Sequence, residues 1–299
     1  MASNASSKEA ATWKTYYALT KPGIIYGNDI TALGGFFLAA RGHVHLILFS
    51  GMLVGISLVM ASGCVFNNYL DRGIDEKMER TKQRALVRGT VSPPASLIFA
   101  TLLGLLGTFT LLSLTNPLTT WISLGGLLTY VVVYGIAKRH SVYGTVVGSI
   151  AGAVPPVVGY TAVTGRLDSG ALLLFLILVT WQMPHFYAIA VYRLSDYRAA
   201  NLPVWPIVKG ARSTKIHILI YVTLFTALTT LLTPFGYAGY AYCVIMALLG
   251  LAWLRMGIGG FNQADDTHWA RAMFRFSLIV LTSFAVLISL QGFVAGTQK

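Results

Sequence analysis

The chain has 299 residues, of which 55% are hydrophobic and only 11% are charged. This composition excludes an ordinary soluble fold, and the long continuous apolar runs exclude a membrane β-barrel, whose strands alternate apolar and polar residues. A net charge of +12 would indicate a nucleic-acid partner in a soluble protein. In a membrane protein such an excess instead marks the cytoplasmic loops, so we expect no nucleic-acid partner.

Nine apolar runs follow one another along the chain, and each is long enough to cross a bilayer, the first only just. They cover 24–40, 46–66, 95–114, 118–137, 145–163, 171–190, 216–233, 236–254 and 276–296. We therefore predict an all-α polytopic membrane protein of nine transmembrane helices. A polar tail and amphipathic lead-in over 1–23 precede a single nine-helix domain over 24–296.

Lysine and arginine are divided unequally between the two sides of these spans. With the N-terminus inside, the cytoplasmic segments hold 19 of these residues and the opposite side holds 3. This distribution predicts a cytoplasmic N-terminus. Two long loops, 67–94 and 191–215, then open on the cytoplasmic side, where we expect the chemistry to take place.

Oxygen-bearing side chains recur every four residues after the second run, at Asn67, Asp71, Asp75 and Glu79. On a helix this spacing places them along one face, with successive members about 6 Å apart along the axis. Oxygen donors of this kind suit Mg²⁺, which shares its coordination shell with substrate phosphates. The alternative is a solvated surface helix in which these acids pair with nearby lysines and arginines.

The second polar loop begins inside the sixth run. Pro184 should kink that helix and turn Gln182 and His185 toward a cavity. Asp196 can add one metal ligand, directly or through water, although a structural pair with Arg193 is equally compatible with the spacing. His185 is a candidate catalytic residue or ligand, and packing is the alternative. Arg193 and Lys215 are candidates for binding phosphate oxygens.

A glycine-rich run, 144–159, lies within the fifth span and carries Pro155 and Pro156. It lacks the lysine of a phosphate loop. We interpret it as a surface of small residues that lets helices approach closely, with a distortion at the two prolines.

Several motifs together resemble the UbiA superfamily of intramembrane prenyltransferases, and within it the branch that farnesylates haem. They are Leu19–Asn28, Asn67–Asp75 followed by Met78–Thr81, Lys138–Gly144, Trp181–His185 and Asp196–Pro203. The superfamily's first motif is Asn-Asp-x-x-Asp-x-x-x-Asp, and here Asn68 stands in the place of its first Asp. The second motif usually has several acids, whereas this chain offers Asp196 alone.

The resemblance implies that the chain transfers the farnesyl group of farnesyl diphosphate to the 2-vinyl group of haem b, with addition of water. It implies Mg²⁺ as cofactor and a lipid-open cavity in a bacterial inner membrane. The expected metal ligands are Asn67, Asp71, Asp75 and Asp196, with Tyr192 and His185 as further catalytic candidates. The candidates for diphosphate binding are Arg72, Lys77, Arg84, Arg193 and Lys215. A contact with haem A synthase or a terminal oxidase assembly is compatible with this role, although no residue of the sequence identifies it.

Two other functions remain open at this point. A related prenyltransferase acting on an aromatic or quinone precursor would use the same donor chemistry. A cation-coupled transporter could bind its cation with Asn28, Asp29, Asp71 and Asp75. Against this, the acids lie at one membrane edge, whereas transport sites cluster near the midplane.

Overall fold

The computed structural model describes residues 11–296, with side chains up to residue 292. Residues 1–10 of the predicted polar tail lie outside this range. Regular structure within it is helical throughout. The helices are α1 Trp13–Leu19, α2 Pro22–Ala40, α3 Leu46–Asp75, α4 Pro93–Leu114, α5 Pro117–Leu128, α6 Tyr134–His140, α7 Gly144–Gly152, α8 Val154–Thr164, α9 Ser169–Tyr192, α10 Leu194–Ala199, α11 Trp205–Leu231, α12 Tyr240–Gly259 and α13 Asp266–Gly296.

Eight helical segments of the described chain are long and apolar enough to cross a membrane. Two of them join shorter pieces, because a π-helical turn at Thr129–Val133 connects α5 to α6 and a break at Ala153 separates α7 from α8. The predicted all-helical polytopic membrane fold is confirmed. Helix α2 is not among the eight, since Asn28 and Asp29 lower its hydropathy, and the count of nine spans stays a prediction.

Three helices extend well beyond the apolar runs that predicted them. The run 46–66 belongs to α3, which continues to Asp75, and the run 216–233 belongs to α11, which already begins at Trp205. The run 276–296 belongs to α13, which begins at Asp266. Hydropathy marks only the part of a helix that lies in lipid, so it does not show these polar ends.

The predicted loop 191–215 is largely helical. It contains α10 and the first turns of α11, whose backbone departs from helical geometry at Gly210 (φ 82°, ψ 168°). The predicted loop 67–94 begins later than expected, because α3 occupies its first nine residues. Turns over 76–92 follow, and Leu86 and Val91 of this segment are buried against Leu19 and Val65.

The glycine-rich run packs as its composition predicts. A Cβ atom at Gly159 would overlap the carbonyl oxygen of Ala32 on α2, and one at Gly152 would overlap the side chain of Gln182 on α9. Helix α2 therefore lies directly on the backbone of α8. Pro155 and Pro156 occupy the first turn of α8, where a missing N–H costs no helical hydrogen bond.

Candidate active site

A cavity of about 630 Å³ opens within the helix bundle. Along α3 it is lined from Asp75 back to Ile56, which is about five helical turns, or roughly 28 Å at 1.5 Å per residue. One end is polar and charged. The deeper part is lined by apolar and aromatic side chains of α3, α9 and α13, among them Val59, Trp181 and Leu281. The cavity can thus hold a molecule with one anionic end and a long apolar body.

The polar end is built on the last turns of α3. Asn67, Asp71 and Asp75 are all buried and all line the cavity, in agreement with their four-residue spacing on one helix. Glu79 does not join them, because α3 ends at Asp75 and the chain turns away. The carboxylate of Glu79 is exposed and pairs with Lys82 at 2.6 Å.

Each of these three side chains contacts a basic group. Lys138 of α6 pairs with Asp71, and Arg139 also approaches Asp71, with 3.3 Å between Nη2 and Oδ1. Arg84 donates to Asp75 Oδ2 at 2.6 Å. The side-chain exposure of Asp75 is only 3%, so this pair is well shielded from solvent.

Lys21 precedes α2 and donates from Nζ to Asn67 Oδ1 at 2.8 Å. Burial lowers the pKa of its ammonium to about 8, so it still carries a proton at neutral pH. The chain reaches this position through a left-handed backbone conformation at Lys21 (φ 54°) immediately before Pro22.

Asn68, which stands in the place of the first Asp of the superfamily motif, has a different environment from Asn67. It is buried, it is not among the cavity-lining residues, and its Nδ2 donates to the carbonyl oxygen of Leu19 at 2.7 Å. Asn68 therefore joins α3 to the end of α1. An acid here would face a carbonyl oxygen, which explains why an amide fits this position.

Asp196 is buried on α10 and lies beside the cavity, without lining it. Its Oδ1 accepts from the backbone N–H of Glu79 at 3.2 Å, and its Oδ2 lies 4.0 Å from Arg80 Nε. Arg80 lines the cavity and also lies over the ring of Tyr197, 5.6 Å from its centroid. Asp196 thus links the two polar loops and positions Arg80, in an arrangement different from the predicted direct ligand or Arg193 pair.

Of the five basic residues predicted to bind diphosphate, the structure brings only Arg84 to the cavity lining. Arg72 is exposed, donates to Tyr69 O at 2.8 Å and lies over the Tyr69 ring. Lys77 is exposed in the turn that follows α3. Arg72 follows Asp71 by one residue and therefore lies on another face of α3, and Lys77 lies beyond the end of that helix.

Arg193 and Lys215 are also placed elsewhere. Arg193 is exposed, with its guanidinium 5.5 Å from the ring centroid of Tyr192. Lys215 is buried and donates to Asp266 Oδ1 at 2.5 Å and to Gly260 O at 2.7 Å. Gly260 follows α12 and Asp266 begins α13, so Lys215 joins three helices and does not line the cavity.

Of the remaining predicted residues, His185 lines the cavity and Tyr192 does not. His185 lines the cavity, as does Gln182, whose Nε2 donates to Ser149 O at 3.0 Å. Helix α9 continues through Pro184 to Tyr192. Tyr192 is not among the cavity-lining residues and packs against Phe274, with ring centroids 5.8 Å apart.

Sequence reasoning missed three basic residues that line the cavity, Lys21, Arg80 and Lys138. All three were counted as charges of the cytoplasmic side and fall within the motifs of the resemblance, but none was predicted to be a site residue. Their common signal is that each lies at or just beyond a helix end on the same side as the acids, which is where a polar cap must form.

The donor set at the polar end fits a magnesium ion that shares its shell with a diphosphate. Within residues 11–292, no three His, Cys, Asp or Glu side chains are grouped to hold a metal alone. Asp71 and Asp75 supply hard oxygen donors, and Mg²⁺ commonly uses one or two carboxylates together with substrate phosphates. The Nδ2 of Asn67 is buried and has no partner, so an entering phosphate oxygen would satisfy it.

Comparison with known proteins agrees with this architecture. The chain is 53% identical over 288 residues to a protoheme IX farnesyltransferase of Klebsiella pneumoniae, covering 96% of this chain and 98% of that protein. The fold is similar to a digeranylgeranylglyceryl phosphate synthase, with a TM-score of 0.78 and 16% identity over 94% of this chain and 98% of the other. It is also similar to a UbiA homologue from Archaeoglobus fulgidus bound to DMAPP and Mg²⁺, with a TM-score of 0.72 and 16% identity over 95% of this chain and 99% of the other.

At such identities the two solved structures establish the fold alone, whereas the Klebsiella relative covers nearly the whole chain at an identity that establishes common ancestry. Residues 29–279 match the UbiA prenyltransferase family. From the helical membrane fold, these matches and the acid-lined cavity, we conclude that the chain belongs to the UbiA prenyltransferase family.

Proposed function

We propose that this protein transfers the farnesyl group of farnesyl diphosphate to the 2-vinyl group of haem b, with addition of water, giving haem O and diphosphate. The observation that carries the proposal is a single cavity that joins buried acids and bases at one end to an apolar, aromatic interior. The name of the Klebsiella relative favours haem over a quinone precursor as acceptor.

Asp71, Asp75 and Asn67 would hold Mg²⁺, with Asp196 contributing through water or through Arg80. When bound, the ion supplies positive charge that makes diphosphate a better leaving group. The remaining negative charge of the diphosphate would be neutralised by Arg84, together with Lys21, Arg80 and Lys138, which all line the cavity. Arg72, Lys77 and Arg193 would have to move to take part.

The reaction would begin when the C1–O bond of the donor breaks and diphosphate leaves with the electron pair. The vinyl π electrons of haem then attack the allylic C1 carbon. The new cation next to the porphyrin ring takes up water, which loses a proton to give the alcohol. The apolar walls around Trp181 and Phe186 would exclude water from the first cation, and their ring faces can stabilise its charge.

The location of the protein follows from the same reasoning. The protoheme IX farnesyltransferase named above comes from a bacterium, Klebsiella pneumoniae, and the chain is a multi-pass membrane protein. We infer a bacterial inner membrane, with the polar end of the cavity on the cytoplasmic side. Both substrates have an apolar body and an anionic end, so they can enter from lipid while their anionic groups stay near the basic residues.

The proposal is tested by incubating the purified protein with farnesyl diphosphate, haem b and Mg²⁺ and analysing the extracted porphyrin by mass spectrometry. We expect a product that carries one farnesyl group and one added water. EDTA should abolish its formation and excess Mg²⁺ should restore it. Transfer to a quinone precursor but not to haem would overturn the proposed acceptor, and undiminished transfer in EDTA would overturn the metal requirement.

A further inference from the structure

His185 is held in a fixed position at the wall of the cavity. Its ring stacks on Trp181, with centroids 4.7 Å apart and an interplanar angle of 27°. Phe186 and Phe274 approach it with centroid distances of 5.2 Å and 4.9 Å. Only 9% of the residue is exposed, so the orientation of the imidazole is set by its aromatic neighbours.

The hydrogen bonds of Ser277 determine which ring nitrogen carries the proton. Ser277 Oγ has one hydrogen and donates it to the carbonyl oxygen of Phe274 at 2.6 Å. His185 Nδ1 lies 2.8 Å from the same Oγ and must therefore be the donor in that contact. The neutral imidazole consequently has its N–H at Nδ1 and a lone pair at Nε2. Trp181 is fixed by the same residue, since its Nε1 donates to Ser277 O at 2.9 Å.

The Nε2 atom has no hydrogen-bond partner among the described residues. It is also not fully shielded from solvent. Because His185 lines the cavity, this lone pair is accessible from the cavity. The other cavity-lining residues of α9 and α13 are uncharged, among them Ile189, Leu278 and Leu281, while the charged lining residues come from other segments. Among the described residues, the acids that line the cavity are Asp71 and Asp75, and both lie at its polar end on α3.

We propose that His185 Nε2 is an axial ligand of the iron of the acceptor haem. This inference rests on the proposed function. Histidines that bind metals usually donate their other ring N–H to a fixed acceptor, which is the part that Ser277 plays here. A neutral imidazole is also the common axial ligand of haem iron. Coordination at this point would fix the porphyrin within the aromatic part of the cavity, at a set distance from the diphosphate end.

The test is the spectrum of haem bound to the purified protein without prenyl donor. Absorption and electron paramagnetic resonance should show an imidazole-ligated ferric iron in the unaltered protein. His185→Gly should lose this signature, and added imidazole should restore it. His217→Gly is the matched control, because the His217 ring also lies against a tryptophan, with its centroid 4.1 Å from that of Trp205 and a tilt of 35°, but His217 does not line the cavity. Its haem spectrum should remain that of the unaltered protein.

Two further variants keep the test decisive. If His185→Gly does not fold, His185→Gln retains similar bulk and should also lose the imidazole signature. Ser277→Ala keeps the ligand but removes the acceptor of its Nδ1–H, so the signature should persist while haem affinity falls by about 10-fold or more. An imidazole signature that survives replacement of His185, or that is missing from the unaltered protein, would overturn the assignment.

The mass analysis of the product separates this inference from the proposed function. If the unaltered protein farnesylates haem while its spectrum does not depend on His185, the ligand assignment fails and the function stands. If it binds haem through His185 but transfers no farnesyl group, the function fails instead.

Discussion

At the polar end of the cavity, the acids of α3 are paired with bases that are distant in sequence. Asp71 and its partner Lys138 are 67 residues apart, and Asn67 and Lys21 are 46 apart. The four-residue spacing of the acids is a local pattern, so the sequence was sufficient to predict it. The partners depend on how α2, α3 and α6 pack, and the nearest bases in sequence, Arg72 and Lys77, proved to be on the outside.

Replacing either cavity acid by its amide should stop farnesyl transfer. We expect Asp71→Asn and Asp75→Asn each to lower the rate by a factor on the order of 100 or more, since a lost metal ligand removes several kcal/mol of stabilisation of the leaving diphosphate. The measurement is haem O formation by the purified variants with saturating Mg²⁺.

Glu79→Gln provides the matched control, because Glu79 continues the same spacing but is exposed outside the cavity. Its activity should equal that of the unaltered protein. Thermal unfolding of all three variants would show whether any loss is due to misfolding. Near-normal turnover in both aspartate variants would contradict the metal assignment.

The polar ends of the helices and the short helix α10 are the parts of the site that could not be predicted from hydropathy. The apolar runs marked the eight long apolar segments, but α3 and α11 continue in polar sequence beyond their apolar parts. The region of Asp196 was expected to be a loop and is the helix α10, which turns its acid onto Arg80. Because these polar helices are stabilised by contacts with other parts of the bundle, hydropathy alone does not predict them.

Close packing between α2 and α8 should be sensitive to a single added methyl group. A Cβ at Gly159 would meet backbone atoms of Ala32 and Phe36, which cannot rotate away. We expect Gly159→Ala to destabilise the protein by about 1–3 kcal/mol, as overpacking of a tight interface does. The measurement is thermal unfolding in detergent.

Gly125→Ala is the comparison for this experiment, since Gly125 also lies in a helix but a Cβ there would have no neighbour within 4 Å. Alanine should be neutral or stabilising by about 0.5–1 kcal/mol at such a position. Equal unfolding temperatures for Gly159→Ala and the unaltered protein would show that the contact between α2 and α8 can relax.

At the scale of the whole molecule, composition predicted a polytopic helical membrane protein, and the fold confirms it. Whether α2 is one of the membrane spans could not be predicted from composition in the same way. It carries polar residues that serve the interior, as Asn28 lines the cavity and Asp29 accepts from Ser57 at 3.0 Å. A helix that is covered by its neighbours needs less apolar surface than one facing lipid.

The orientation in the membrane can be checked with single cysteines. In a chain whose Cys64 and Cys243 are replaced by alanine, a cysteine substituted for Lys77 should react with a membrane-impermeant maleimide only from the cytoplasmic side. One substituted for Arg166, whose side chain is 75% exposed, should react only from the opposite side. The positive-inside distribution gives this expectation. Labelling with the sides exchanged would reverse the proposed topology.

The ion pairs of Asp71 and Asp75 affect the energetics of substrate entry. In the described structure, the carboxylates of Asp75 and Asp71 are already paired with a guanidinium and an ammonium group, respectively. When a magnesium diphosphate enters, the carboxylates can turn to the metal while the released cations turn to phosphate oxygens. The exchange leaves few charges without a counter-ion in a medium where isolated charges cost several kcal/mol each. On the proposed function, donor binding would therefore exchange the partners of side chains that are already buried and paired.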